Sequence, residues 1–555
     1  MLFRVLIILV ICCLGFNFHL GGQSPTIYIS ELLTSNDFSI TDEYGELEDW
    51  IEIHNHGSEV VDLKGMFLSD DENDPYKFEI QETILISPDD YILLWADGTP
   101  SQGVNHLNFK LSNGESLVFS SVDGIIDLIS IENQRHNVSY GRDNYEGEFV
   151  YYKLPTPNKP NRTPSFKFLA QVKMDQSSGY YDKAISVTLS SDVGDIFYTL
   201  DGSVPTNQSL LYDNTPIAII ENTTLRAITY KEGYLTPLAS TKTYVFDSPS
   251  TIPILFVTSN GDSINGHKET TIHTELIDKN EELLFSEYVT SQHHGSIEQG
   301  SFRITLGPKH GGNKVNYPIF NSKPFVNDFK SLIFRQAGND GLNTSNFNRS
   351  HLRDGYVSSI VNQGGFNFKA SGFRQVNVYL DGEYYGIYNM RERIDDSFLE
   401  NNYDVSDQEP KCFIEYKFGE PNNVNVIEGE WSYFQDKLWS LCLDADLSNQ
   451  TEFDQVANAI DLKDFTDFWI HEVYIGNYDW LSNNMYFWSP VNRYGKFRWI
   501  IWDTDVSLGL NGDPSWNSLA WATSTEDGRP MEGRRTAIIR ALLTNESYRS
   551  FFITR

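Results

Sequence analysis

The fold of the C-terminal part is decided by two polar stretches, Asn477-Tyr478-Asp479-Trp480-Leu481-Ser482-Asn483-Asn484 and Trp502-Asp503-Thr504-Asp505. Between them lie two apolar runs, residues 485–488 and 497–502, separated by the polar segment Asn492-Arg493-Tyr494-Gly495. Two apolar runs around such a turn predict a β-hairpin. A hairpin would return the chain and bring the two polar stretches side by side.

Asp479 and Asn484 stand five positions apart. Catalytic loops for phosphoryl transfer use this Asp-x-x-x-x-Asn spacing, in which Asp accepts the proton of the acceptor hydroxyl and Asn holds a metal ion. With Asp503 beside it, Asn484 can share Mg²⁺ on the phosphates of a nucleotide. The alternative is that these Asp and Asn residues only form turns, as they often do. The spacing therefore raises the hypothesis of metal-dependent phosphoryl transfer.

The residues before this loop predict a buried helix. Apolar side chains recur there at helical spacing, and Gly476 is an expected helix end. The apolar positions are Leu462, Phe465, Phe468, Trp469 and Val473. A helix, a polar loop, a hairpin and a metal-binding carboxylate would then follow one another in the order of a kinase C-terminal lobe.

The bulk properties limit the class of protein. With 555 residues, of which 40% are hydrophobic, the chain is long enough for about three or four domains with packed cores. Its net charge is −34 and its pI about 4.6. This balance argues against a nucleic-acid partner, which requires a basic face.

Residues 1–23 are predicted to be a secretory signal peptide. Arg4 provides the positive charge, and the apolar run from Val5 to Phe16 is too short to span a bilayer. No later segment is long and apolar enough for a transmembrane anchor, so we expect a secreted or cell-surface protein. After cleavage only Cys412 and Cys442 remain, which form either one disulfide or two free thiols.

Residues 24–154 are predicted to form an all-β sandwich, because short apolar runs alternate with turn residues. The residues of this segment that carry a family resemblance are Glu31, Asn36, Asp42, Gly45-Glu46, residues 49–55, 61–65, 68–71, 108–111 and 139–142. With these residues the segment resembles the lamin-tail domain family, which implies an immunoglobulin-like fold with a binding or anchoring role. The acidic run Asp70–Asp74 is either a calcium loop or a solvated loop. Residues 155–165 follow as a proline-rich linker.

Residues 166–247 are predicted to form a second β-module. A strand from Ile196 to Leu200 runs into the Asp201-Gly202 turn, and Thr223–Thr229 gives another strand. The segment resembles the C-terminal module of chitobiases and hexosaminidases. This resemblance implies a second immunoglobulin-like sandwich without catalytic residues. A glycan or another cell-surface ligand is the expected partner of the two β-modules.

Residues 252–555 are predicted to form a mixed α+β unit. Its sequence resembles the CotH kinase family of spore-coat proteins. The resemblance rests on residues 294–296, 316–320, 329–335, 338–340, 353–354, 376–395, 479–484 and 502–505. It implies an atypical protein-kinase-like fold that transfers phosphate from ATP, with Mg²⁺, Mn²⁺ or Ca²⁺, to Ser or Thr of extracellular proteins. Members of the family continue through further helices, so either the C-terminal lobe of this domain is incomplete or the sequence is a fragment of a longer chain.

The resemblance also assigns roles to individual residues. Asp479 takes the catalytic position. The positions implied for metal binding are Asn484, Asp503 and Asp505. Glu392 matches an acidic residue near the nucleotide cleft.

One position departs from the family pattern. Gly300 stands where many members have Lys, so Arg303 or Arg335 would have to meet the phosphates, and Arg is not equivalent to Lys at such sites. This departure leaves a non-catalytic envelope or adhesion protein as the alternative. If the chain is an active kinase, the side chains of Asp479, Asn484 and Asp503 should converge on one cleft, which Glu392 should face and in which an Arg or Lys offsets the phosphate charge.

Overall fold

The computed structural model describes residues 26–36, 39–112, 114–131, 135, 137–162, 164, 168–246, 250–295, 300–306, 315–342, 348–403, 405, 409–416, 424–481, 483–492, 494–510, 515–524 and 536–555. The chain divides into two compact units, Met1–Lys167 and Phe168–Arg555. The predicted signal peptide lies outside the described residues. Within the described ranges, no helix combines the length and apolar character needed to cross a membrane.

The first unit consists of antiparallel sheets. Its five-stranded sheet has the order Val150–Tyr152, Ser139–Gly141, Ile27–Leu33, Trp50–Asn55 and Tyr91–Trp95. Its four-stranded sheet has the order Phe78–Glu79, Phe67–Ser69, Ser116–Ser121 and Gly124–Ser130. Val61–Asp62 pairs with Leu85–Ile86. One apolar core takes Ile29 and Ile51 from the first sheet and Leu68 and Phe119 from the second, which is how two half-apolar sheets bury their inner faces.

The acidic run Asp70–Asp74 is a self-bonded loop. Asp70 pairs with Lys77 at 2.6 Å, and Asp71 accepts hydrogen bonds from the backbone and side chain of Asn73. The carboxylates of Asp70 and Asp71 therefore have partners within or next to the loop. Among the described residues, the three side chains that lie close enough together to hold a metal ion are Asp42, Asp97 and His106, outside this loop.

Glu52 gives the first unit a predicted pH dependence. Its carboxyl group accepts hydrogen bonds from Ser30 Oγ and Asn158 N, both at 2.6 Å, and burial raises its pKa to about 8. The unfolded value is about 4.3, so between these values the folded chain keeps a proton that the unfolded chain loses. Stability should therefore fall as the pH rises from 5 to 8, by on the order of a few kcal/mol.

Calorimetry of the full chain checks this expectation through the variant Glu52→Gln. The unfolding transition of the first unit should lose less stability between pH 5 and pH 8 in the variant than in the wild type. Glu82→Gln, at an exposed position, is the matched control and should behave like the wild type. An equal pH dependence in all three proteins would contradict the assignment.

The second unit begins with three small sheets. The five-stranded sheet has the order Gly179–Tyr180, Ser240–Val245, Thr223–Tyr230, Asp195–Thr199 and Leu210–Leu211. Lys173–Met174 pairs with Leu189–Ser190, and Ile185–Val187 pairs with Ile217–Ile219. This module contacts the following barrel directly. Lys242 pairs with Glu275 at 2.6 Å, and the buried Arg226 donates to Tyr288 Oη at 3.0 Å. The segments 166–247 and 252–555 are therefore held together by buried polar contacts.

A closed barrel forms the next part. Its strands in spatial order are Ile254–Thr258, Thr270–Ile277, Leu283–His293, Phe302–Thr305, Ser331–Arg335, Glu383–Glu392 and Phe373–Leu380. The first and last of these pair in parallel and close the barrel. The short strands Val315–Asn316 and Asp328–Phe329 pair beside it. The barrel is filled by apolar side chains such as Phe302, Leu332 and Val378, all 0% exposed.

The remaining residues form a sheet backed by helices, the C-terminal sheet. Its order is Lys369–Ala370, Arg498–Ile501, Met485–Pro490, Lys411–Tyr416 and Val424–Glu428. The described helices are Arg353–Gln363, Asp396–Tyr403, Trp431–Phe434, Ser440–Asp444, Gln450–Ala459, Leu462–Tyr474, Ser518–Ala522, Ala537–Thr544 and Glu546–Thr554, with a π turn at Gln435–Trp439 and a 3₁₀ turn at Gly338–Asp340. Among the residues that the structure describes, β-strands come first and the α-helices begin at Arg353.

The predicted hairpin is confirmed. Met485–Pro490 pairs with Arg498–Ile501 in antiparallel register, with Met485 opposite Ile501. The predicted helix is also present as Leu462–Tyr474, and its Phe465 packs against Trp499 of the hairpin with ring centroids 4.7 Å apart.

Cys412 and Cys442 are both free and buried, so the two-thiol alternative holds. Burial raises the pKa of each thiol to about 12.

Candidate active site

A cavity of about 750 Å³ lies between the barrel and the C-terminal sheet. Both parts contribute polar side chains to its wall. The charged and amide residues that line it are Arg303, Arg335, Asn339, Arg393, Asp395, Glu415, Asn425, Asn484, Asp503 and Asp505. Five of the seven predicted site residues therefore share one cavity: Arg303, Arg335, Asn484, Asp503 and Asp505.

The loop that carries Asp479 is fixed by its buried neighbours. Asn477, 0% exposed, donates to Glu472 Oε2 at 2.9 Å and accepts from Asp479 N at 3.1 Å. Trp480 packs edge-on against Trp469 of the preceding helix at 4.5 Å. Burial raises the pKa of Glu472 to about 8, so its carboxyl is largely protonated at neutral pH. The loop is anchored on both sides of Asp479, which is half-buried.

Asp479 contacts Asn484 directly. The Asp479 carboxylate accepts hydrogen bonds from Asn484 Nδ2 and Asn483 Nδ2, each at 3.2 Å. The predicted convergence on one cleft therefore requires correction for Asp479, which does not line the cavity, whereas Asn484 and Asp503 do. Because its amide nitrogen is turned to Asp479, the amide oxygen of Asn484 is the atom left for a cation.

The hairpin brings the second polar stretch, Trp502-Asp503-Thr504-Asp505, close to Asn484. The two parts of the chain are also linked by a backbone hydrogen bond, since Tyr478 N donates to Val506 O at 3.0 Å. Asp503 Oδ1 lies 2.6 Å from Arg335 Nη2, and Asp505 Oδ2 lies 3.8 Å from the same nitrogen. Asp505 also accepts from Asn339 N at 2.7 Å. Burial, and then the nearby Asp503 carboxylate, raise the pKa of Asp505 to about 7.

Gly338 allows this close packing around Asp505. Its φ is +52°, and a Cβ there would collide with Asp505 Oδ2 and lie 2.9 Å from Arg335 Nη2. We expect Gly338→Ala to lose more stability than Gly365→Ala. Gly365 has a φ of +69° and open space around it, so that control incurs only the backbone strain of about 1–2 kcal/mol. Urea unfolding of both variants measures the difference, and equal losses would show that Asp505 and Arg335 move aside freely.

The cations of the cavity are arginines. Arg303 donates to Gln292 Oε1 at 2.6 Å, and Arg393 lies 3.6 Å from Asp395. Gly300 has a φ of +64°, a left-handed conformation that disfavours Lys and other side chains with a Cβ. The local backbone thus accounts for the glycine where the family pattern has Lys, and the positive charge of the cavity comes from other positions.

The expected position of Glu392 requires correction. Glu392 does not line the cavity. It is 2% exposed and forms a buried ion pair with Lys323, while Gly372 N and Asn402 Nδ2 donate to its carboxylate at 3.1 and 3.0 Å. The reason is the two-residue period of the strand, which directs Glu392 to the face opposite Arg391. Lys323 was not singled out by the sequence.

Asp354, to which the sequence analysis gave no role in the site, lies next to the cavity residue Arg335. Asp354 accepts from Arg391 Nη1, lies 3.6 Å from Arg335 Nη1 and accepts from Thr504 N at 3.1 Å. Arg335 and Arg391 both stack against Trp502, at 5.3 and 5.4 Å from its ring. Burial lowers the pKa of Arg391 to about 9. Asp354 occurs in the Arg353-Asp354 motif, but its partners are far away in the chain.

The cavity residues fit a hard metal cation with phosphates. Carboxylate and amide oxygens are the ligands that Mg²⁺ and Mn²⁺ prefer. Arg303 Nε is buried without a hydrogen-bond partner, so its N–H is available for an anionic oxygen. Arg335 Nη1 also makes no hydrogen bond, although it lies 3.6 Å from Asp354 Oδ2. Asn484, Asp503 and Asp505 would hold the cation, and the arginines would face the phosphates.

Two family profiles match the chain. The CotH kinase protein profile matches residues 292–555, and the chitobiase/beta-hexosaminidase C-terminal domain profile matches residues 176–243. No curated protein matches the chain. The lamin-tail resemblance of residues 24–154 stays a prediction. The second unit therefore carries a chitobiase/beta-hexosaminidase C-terminal domain at residues 176–243 and a CotH kinase protein domain at residues 292–555.

Proposed function

We propose that the chain is an ATP- and metal-dependent protein kinase with an atypical kinase-like fold, which phosphorylates Ser or Thr of extracellular proteins. The observation that carries the proposal is the convergence of Asn484, Asp503 and Asp505 on one arginine-lined cavity, with Asp479 bonded to Asn484. Secretion to the cell surface, and a glycan or surface ligand for the β-modules, belong to the same proposal.

Each residue has a defined role in this proposal. Asp479 accepts the proton of the acceptor hydroxyl. Asn484, Asp503 and Asp505 hold the cation through oxygen atoms, and Arg335 and Arg303 orient the phosphates. ATP with Mg²⁺ or Mn²⁺ supplies the phosphoryl group and neutralises the charge on its oxygens. The cavity has an interior of about 750 Å³, which lies within the range of ordinary ligand pockets.

A specific observation supports the non-catalytic alternative. Arg335 already pairs with Asp503, so the carboxylate proposed for the cation has a protein partner. In that alternative the ion pair holds the two halves of the domain together and no nucleotide binds.

Nucleotide-dependent thermal stabilisation separates the two functions. ATP with Mg²⁺ at about a hundredfold excess over its Kd should stabilise the folded chain by about 2.7 kcal/mol. Asp503→Ala should abolish the shift, whereas Asp444→Ala, an exposed control, should keep it. Transfer of labelled phosphate to a Ser-rich or acidic secreted protein then tests the reaction. No shift with any nucleotide would leave the scaffold function.

A further inference from the structure

The first unit contains a cluster of ligand atoms far from the kinase chemistry in sequence. One carboxylate oxygen each of Asp42 and Asp97 and one ring nitrogen of His106 lie within 4.8 Å of one another. All three side chains are buried, and His106 is 0% exposed. Glu43 Oε1 lies 3.2 Å from His106 Nε2.

We propose that Asp42, Glu43 and His106 bind a divalent first-row metal ion, best matched by Zn²⁺, with Asp97 orienting the histidine ring.

Two of the atoms proposed as ligands, Asp42 Oδ2 and His106 Nε2, make no hydrogen bond. Asp42 Oδ1 accepts from Tyr44 N and Glu46 N at 2.9 and 2.8 Å, whereas its Oδ2 is buried without a hydrogen bond. His106 Nε2 is likewise buried and makes no hydrogen bond, although it lies near Glu43. Unsatisfied buried polar atoms are rare in folded proteins and need an explanation. A metal ion between them would satisfy both atoms.

Asp97 completes a familiar metal-site arrangement. Its Oδ2 lies 2.6 Å from His106 Nδ1, and its Oδ1 accepts from Thr99 N at 2.8 Å. Histidine ligands usually donate their second ring N–H to a carboxylate, which fixes the ring and its tautomer. Nδ1 is therefore committed to Asp97, and Nε2 is the nitrogen that faces the ion.

The charge of the cluster also calls for a cation. Three carboxylates, those of Asp42, Glu43 and Asp97, surround one imidazole, so even a protonated ring leaves an excess of negative charge. Gln102 lies on the same pair of loops, and its Oε1 is another buried acceptor without a hydrogen bond. Buried carboxylates are retained when they are paired or coordinate a metal.

The donor set selects the type of metal. Ca²⁺ and Mg²⁺ take oxygen ligands, whereas one imidazole nitrogen with carboxylates suits Zn²⁺ at distances of about 2.0–2.2 Å. Ligand atoms of Asp42 and His106 lie within 4.8 Å of each other, and Glu43 Oε1 lies 3.2 Å from His106 Nε2, so small side-chain movements can bring these atoms to a common ion. Glu43, with 49% of its side chain exposed, gives the ion a route from solvent.

Isothermal titration of the chelator-treated full chain with Zn²⁺ tests the site. We expect one Zn²⁺ equivalent that survives in Asp503→Asn and is therefore distinct from the kinase cavity. Glu43→Gln should bind at least tenfold more weakly, and Asp42→Asn should lose this equivalent. Asp97→Asn should weaken binding by about 10–100-fold because it acts through the histidine. Glu72→Gln, which removes one exposed charge in the same unit, should bind like the wild type.

One further measurement tests the ligands directly. Zinc-edge X-ray absorption should show one imidazole among oxygen ligands in the wild type. Glu43 is half-exposed, so Glu43→Gln keeps the fold even if variants of the buried His106 do not. Unchanged Zn²⁺ affinity in both Glu43→Gln and Asp42→Asn, loss of the equivalent in Asp503→Asn, or Ca²⁺ binding at this site as tightly as Zn²⁺ would overturn the proposal.

Discussion

Asp479→Asn is expected to reduce the rate of phosphate transfer by about 10²–10⁴-fold, the contribution of a positioned general base, while ATP binding is retained. The carboxylate of Asp479 does not line the cavity. It is linked to the cavity through Asn484, whose Nδ2 donates a hydrogen bond to it at 3.2 Å. An Asn side chain can still accept that bond through its amide oxygen, but it cannot take a proton from the acceptor hydroxyl.

Initial rates of label transfer and the ATP-dependent thermal shift, measured on the same preparations, test this expectation. Asp444→Asn removes one exposed carboxylate from the same domain and should transfer phosphate at the wild-type rate. Equal transfer by wild type and Asp479→Asn would remove Asp479 from the catalytic role. Loss of the thermal shift in Asp479→Asn would instead indicate that this residue supports the metal site through Asn484.

The parts of the site that the sequence predicted are close in the chain. The helix Leu462–Tyr474 and the hairpin with strands Met485–Pro490 and Arg498–Ile501 follow from apolar periodicity and a polar turn. Once the hairpin is formed, Asn484 and Asp503 must come to the same end of it. Local pattern and pairing therefore predict these two positions without any knowledge of the rest of the fold.

Glu392 shows that a match to a sequence motif does not predict which face of a strand a side chain lies on. Its strand, Glu383–Glu392, alternates its side chains between two faces. Arg391 therefore lies over Trp502, whereas Glu392 pairs with Lys323. Applying the two-residue period to Arg391-Glu392-Arg393 would have placed the two arginines, and not the glutamate, on one face.

The long-range contacts could not be predicted. Arg335 and Asp503 are 168 positions apart, and the barrel closes by parallel pairing of Ile254–Thr258 with Phe373–Leu380. Neither strand carries a local signal for its partner. The sequence indicated a mixed α+β unit, but the closed barrel and the role of Asp354 depend on this three-dimensional pairing.

Asp354→Ala is expected to have the largest effect on stability, a loss of about 3–5 kcal/mol, because it leaves the buried Arg391 guanidinium without its carboxylate. Asp354 is 5% exposed, Arg391 is 0% exposed and Arg335 is 7% exposed. Asp354 pairs with both arginines and accepts from Thr504 N, which lies between Asp503 and Asp505. Its loss should therefore also disturb the proposed cation ligands.

Urea unfolding of the full chain gives the free energy of unfolding, and the ATP-dependent thermal shift gives the effect on the site. Asp354→Asn keeps an acceptor for Thr504 but removes the charge, so its loss should be smaller than that of Asp354→Ala. Lys463→Ala breaks the half-exposed pair with Asp467 and should cost less than about 1 kcal/mol. If Asp354→Ala were as stable as Lys463→Ala, solvent would have to reach Arg391, and the buried network could not be what positions Asp503 and Asp505. Retained stability together with a lost ATP shift would make Asp354 a residue that positions the site without holding the fold.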